Sequence, residues 1–177
     1  MRQESQPEMK RLWAPWRMDY IRAARPTGAK RGCLFCRLLR SKDDTADLVL
    51  MRGALGFIVM NRFPYNNGHL MVAPNRHVAA PEKLTDKESL ALARLVQTAL
   101  AALGEECSPQ GFNVGMNLGR VAGAGEAGHL HIHIVPRWNG DTNFMPLLAE
   151  TKVVSEHLAT TYQKLKRKLK PKRICLK

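Results

Sequence analysis

His129-Leu130-His131-Ile132-His133-Ile134-Val135 sets imidazole and aliphatic side chains in strict alternation. On a β-strand such alternation sends successive side chains to opposite faces, so the three histidines project together at intervals of roughly 6.6 Å while Leu130, Ile132 and Ile134 enter a core. The aliphatic half is ordinary strand packing, whereas three imidazoles in register beside the glycine-rich stretch Gly119–Gly128 call for a chemical reason. Two chemistries use such a row. Imidazoles can hold a zinc ion that keeps an open position and generates hydroxide. Alternatively, one imidazole attacks phosphorus and its neighbours bind the electrophile, which splits a hard displacement into two easier ones. Spacing alone leaves both open.

Outward from this row, Leu48–Met51, Phe57–Met60 and His69–Ala73 read as closely spaced strands separated by Gly53, Gly56 and the Pro64–Gly68 turn. Thr85-Asp86-Lys87-Glu88 is a capping-box pattern that opens a helix with apolar positions Leu92, Leu95, Val96, Ala99, Leu100 and Leu103, and Gly104 reads as its stop. Phe112–Asn117 forms the strand before the glycine-rich loop, and Val154, Leu158, Tyr162, Leu165 and Leu169 mark a last helix. The expected fold is α+β: about five mostly antiparallel strands, with a long helix packed on the sheet, a C-terminal helix, and the helices to one side. Leu34, Phe35, Leu38 and Leu39 add a short helical stripe after the Arg11–Ala24 segment, whose shape the sequence does not define.

The chain has 177 residues and a net charge of +13, which is unevenly distributed. Residues 1–32 carry +5, residues 164–177 carry +8, and the 131 residues between them sum to zero. A neutral body with basic ends reads as one domain over 1–177, with a core at about 33–163 and partly flexible ends. The lysine-rich tail reads first as a solvated helix end and second as a weak contact for nucleic acid. No apolar run reaches the ~18 residues of a membrane span, and the first thirty residues lack a secretory pattern, so a cytoplasmic location is expected.

In a reducing compartment, Cys33-x-x-Cys36 reads as a metal-binding or redox pair, or as two thiols packed as small apolar residues, rather than as a structural disulfide. As a metal site it is one half, since zinc takes four ligands and thiolate pairs at this spacing supply two. Cys107 and Cys175 show no partner in the sequence.

The histidine row resembles the signature of the histidine triad family of nucleotide hydrolases and transferases. The resemblance extends to Phe57–Asn61, Pro64, Gly68–Pro74, His77 and Asn113–Asn117, and covers about residues 33–138. The flanks Leu12–Arg17 and Pro136–Phe144 are similar to the bacterial diadenosine tetraphosphate phosphorylase or hydrolase branch. This resemblance implies cleavage at the α-phosphate of a dinucleoside polyphosphate through a phosphohistidine, with water or phosphate as acceptor and a divalent cation accompanying the substrate. It makes His131 the nucleophile and His133 the donor to the phosphate oxygens, and it puts Asn117 near the phosphates, Asn61 at the ribose, and Leu34, Phe35 and Leu38 at the base. It also implies a homodimer. Relatives place Gln with Ser or Thr before the first histidine, where this chain has Gly123-Ala124-Gly125-Glu126-Ala127-Gly128, so Glu126 is the candidate leaving-group donor, or else points to solvent. Zinc-containing members complete the cysteine pair with residues matching His77 and His129, making a closed, structural Cys₂His₂ site. His69 is the other candidate ligand, or a histidine that orients the row. Two rival readings remain: a zinc hydrolase with catalytic metal at the row, and a non-catalytic basic module for RNA or nucleotides.

Overall fold

Antiparallel pairing of short, apolar strands organises the chain around one five-stranded sheet. In the computed structural model, which describes residues 32–141 and 156–169, the elements in order are α1 (Leu34–Arg40), β1 (Val49–Arg52), β2 (Gly56–Met60), β3 (Leu70–Pro74), α2 (Asp86–Cys107), β4 (Gly111–Met116), β5 (Ile132–Arg137) and α3 (Leu158–Lys168). The sheet order is β1-β2-β3-β5-β4, with every neighbouring pair antiparallel. Every residue of β2 and β3 is buried, as expected for central strands covered on both faces.

One face of the sheet carries Leu50, Ile58, Met60, Leu70, Val72 and Ile134, packed against Leu92, Leu95, Ala99 and Leu103 of α2 and against Tyr162 and Leu165 of α3. Gly56 permits this close approach, since a Cβ there would lie 2.8 Å from a Leu92 methyl and 2.9 Å from the Ala73 carbonyl oxygen. The other face carries Val49, Phe57, Val59, Met71 and Ala73 beneath Phe35 and Leu38 of α1. The helices therefore do not all lie to one side, because α1 has its own apolar stripe and covers the face that bears the histidine row.

The capping box at Thr85 and Glu88 forms as expected, and such a cap is worth about 1 kcal/mol. Gly104, however, does not end α2. The helix runs on to Cys107, and Ser108 takes the left-handed conformation that closes it. The last helix begins at Leu158 and places Leu165 and Leu169 in the core, so residues 164–169 are packed structure. Three lysines of this segment pair within the domain: Lys164 with Glu156, Lys166 with Asp44, and Lys168 with Glu105. The expected features at Arg11–Ala24, Leu12–Arg17, Thr142–Phe144, Val154, Lys170–Arg173 and Cys175 lie outside the described residues. Among the described residues, no helix is long and apolar enough to cross a membrane.

Candidate active site and metal centre

The strand that carries the row begins at Ile132, so His129 and His131 precede β5 rather than forming part of it. This irregular entry lets the histidines diverge, and the row splits into two functional groups.

His129 turns toward α1 and the segment after β3. Its Nδ1 lies 3.2 Å from Cys33 Sγ and 3.6 Å from Cys36 Sγ, while His77 Nδ1 lies 3.3 Å from Cys36 Sγ. The ligand atoms of Cys33, Cys36, His77 and His129 all fall within 4.8 Å of one another. Across a tetrahedral zinc with Zn–S of about 2.3 Å and Zn–N of about 2.0–2.1 Å, sulfur and nitrogen are separated by about 3.6 Å. The four residues fit a zinc ion, and with four protein ligands the site is closed. The His129 tautomer suits this role, because its Nε2–H donates to the Pro74 carbonyl at 2.9 Å and leaves the Nδ1 lone pair toward the thiols. His69 is not in the cluster.

His133 lies on β5, and His131 sits just before it. The His131 Nδ1–H donates to the His129 carbonyl at 2.8 Å, which leaves the Nε2 lone pair uncommitted to the backbone. A second chain of hydrogen bonds sets His133. The Tyr65 backbone N–H donates to His69 Nδ1 at 3.0 Å, so the His69 proton sits on Nε2 and is donated to His133 Nδ1 at 2.9 Å. The remaining proton of a neutral His133 is then on its Nε2. Burial, and then the repulsion that two protonated rings would feel beside each other, depresses the His133 pKa to about 4, so this ring is neutral near pH 7. The rings of His131 and His133 meet edge to face at 4.8 Å. Thus one imidazole offers a lone pair beside another that offers a proton.

Asn61, Leu34 and Leu38 come together, lining a cavity of about 250 Å³ with Arg37, Asp47 and Met71. Phe35 does not reach this cavity. It is 1% exposed and packs against His131 at 4.9 Å, His129 at 5.2 Å and Phe57 at 6.2 Å, so it supports the imidazoles from beneath. Asn117 donates to the Gly123 carbonyl at 3.4 Å and braces the glycine-rich loop. Glu126 is half-buried beside the start of α1. Its carboxylate accepts the Leu34 N–H at 3.0 Å and its carbonyl accepts the His129 N–H, so it ties the loop to the metal-ligating helix start. Sequence reasoning missed Tyr65, whose ring stacks on His69 at 4.8 Å and lies 5.7 Å from His133.

The HIT domain model matches residues 43–140. The chain belongs to the HIT family. It is 41% identical over 158 residues to the AP-4-A phosphorylase of Mycobacterium tuberculosis, covering 87% of this chain and 81% of that protein. A bis(5′-nucleosyl)-tetraphosphatase (asymmetrical) of Schizosaccharomyces pombe is 29% identical over 127 residues, 71% of this chain and 69% of that protein. Among solved structures, a zinc-bound histidine triad protein of Mycobacterium smegmatis superposes with a TM-score of 0.62 at 22% identity, covering 78% of this chain and 93% of that one. That likeness gives the HIT fold: five antiparallel strands with helices on both faces.

Proposed function

We propose that this HIT protein cleaves dinucleoside polyphosphates at an α-phosphate, with His131 as the nucleophile. The single observation that carries the reading is the bond from His131 Nδ1–H to the His129 carbonyl, which aims the basic Nε2 away from the backbone and next to a donor-bearing His133. The relatives named as a phosphorylase of AP-4-A and as a tetraphosphatase support this substrate class.

In the proposed reaction the base and ribose of one nucleoside occupy the cavity, against Leu34, Leu38 and Asn61. His131 Nε2 attacks the α-phosphorus in line, so a P–N bond forms as the P–O bond to the departing nucleotide breaks. His133 Nε2–H donates to a non-bridging oxygen and stabilises the charge that moves there. The departing group leaves as a phosphate anion and needs no proton from Glu126, whose carboxylate serves the Leu34 amide instead. Water or inorganic phosphate then attacks the phosphohistidine and restores the ring. The zinc supplies structural closure at Cys33, Cys36, His77 and His129. A hydroxide-generating metal at the row is disfavoured by these four protein ligands, which leave no open position.

The acceptor decides the name of the reaction. With diadenosine tetraphosphate as substrate, phosphate as acceptor gives ADP and water gives AMP, so chromatography of the products with and without added phosphate separates the two. Acid-labile label on the protein from an α-³²P dinucleotide is expected in both cases, and its absence would sink the covalent reading.

Two further parts belong to this proposal. A second copy of the chain is the partner, supported by β4, which among the described residues is an edge strand and carries exposed Val114 and Met116, followed by exposed Leu118. Light scattering should return twice the 19.9 kDa chain mass, and a monomer mass would refute this part. A cytoplasmic location is supported by the paired thiols as metal ligands, which suit a reducing compartment. The RNA-module reading loses support because Lys164, Lys166 and Lys168 already pair within the domain.

A further inference from the structure

A dinucleoside polyphosphate has two bases, and the cavity beside Asn61 holds no more than one nucleoside, since pockets for drug-sized ligands begin at roughly 300 Å³. The connection between β2 and β3 that joins this cavity to the row exposes two aromatic rings, Phe63 at 82% and Tyr65 at 51%. Tyr65 covers His69 with one ring face, at an interplanar angle of 25°, and its exposure means the other side is open to solvent. We propose that Tyr65, with Phe63 at the cavity rim, is the stacking platform for the second nucleobase of the substrate. The inference rests on the proposed dinucleotide reaction and adds to it a subsite for the departing nucleotide.

Three features favour a built platform over incidental exposure. The segment is braced at both ends: Asn61 Oδ1 accepts the Phe63 N–H, and the buried Asn66 side chain donates to the Pro136 carbonyl and to Asp141. Pro64 removes backbone freedom between the two rings. The Tyr65 ring also lies 5.7 Å from His133, so a base on its outer face is set back from the row by one ring thickness, within reach of a flexible polyphosphate chain. A bare aromatic face takes any base, which predicts tolerance toward the identity of the second nucleoside.

The test compares diadenosine tetraphosphate with adenosine 5′-tetraphosphate, which keeps the four phosphates and one nucleoside but lacks the second base. For the full chain with its metal, Tyr65→Ala is expected to lower kcat/KM for the dinucleotide about tenfold more than for the mononucleoside, mainly through KM, a loss on the scale of one base–aromatic stack. Tyr65→Leu keeps an apolar cover over His69 without a π face and should lose the same preference, while Tyr65→Trp should restore it. Equal losses on both substrates would mean that the ring only packs His69, and no loss on either would mean that it touches no base; either result overturns the platform. Wild-type protein that cleaves neither substrate would instead overturn the proposed reaction, and the platform with it.

Discussion

His131→Ala is expected to reduce turnover of a dinucleoside polyphosphate by roughly 10⁴-fold or more, with nucleotide binding changed only a few-fold. The size follows from what the ring does in the proposed reaction: removing it deletes the covalent route, while the cavity residues Leu34, Leu38 and Asn61 that hold the nucleoside stay in place. His131 is 6% exposed and packs on Phe35, so the alanine leaves a small void beneath the site. His131→Gln checks that contribution, since it refills most of the space without a nucleophilic nitrogen. Both variants should lose the acid-labile label, and either one retaining a tenth of wild-type turnover would remove His131 from the nucleophile's role. His133→Ala should be milder and should keep the label, because the donor to the phosphate oxygens is lost while the attacking nitrogen remains.

The parts of this site that could be read from sequence are those with a period or a pattern of their own. Alternation announced the row at His129–Val135, the Thr85–Glu88 box announced α2, and Cys33-x-x-Cys36 announced half a metal site. What escaped depends on contacts between distant segments. Phe35 shares a helical stripe with Leu34 and Leu38, but a seven-residue helix turns them in different directions, and only the packing of α1 decides which of them meets the cavity. Glu126 reads as a charge in a flexible loop until its carboxylate is found on the Leu34 amide, 92 residues away. Tyr65 sits in a Pro-Tyr-Asn-Asn-Gly stretch that reads as turn punctuation, and nothing local says that its ring will stack on His69. Gly104 stops no helix because Ala102 and Leu103 beside it are buried against the sheet, and that packing outweighs the ~1 kcal/mol that glycine costs in a helix.

Cys36→Ser should have the second large effect, and its consequences are expected to reach the catalytic row although the metal touches no substrate in the proposed reaction. One equivalent of zinc should accompany the wild-type protein and be lost or much weakened in the variant. The site joins α1, the segment after β3 and the entry to β5, so losing the ion frees 41- and 52-residue connections between ligands (Cys36 to His77, His77 to His129). If metal loss removes even ~4 kcal/mol, the thermal midpoint falls by about 10 °C. Catalysis should suffer chiefly through His129, whose ring belongs to the metal set while its carbonyl accepts the His131 Nδ1–H, and through Phe35 of α1, which packs against His131, so a loosened site lets the nucleophile lose its aim. Turnover is therefore expected to fall more than KM rises, and exchanging the metal decides what the ion does. Cadmium, which also favours thiolate and imidazole ligands, should restore both the thermal midpoint and turnover with the pH profile of turnover unchanged. If that profile instead shifts with the identity of the metal, the ion is activating water, and His131 is not the group that attacks phosphorus.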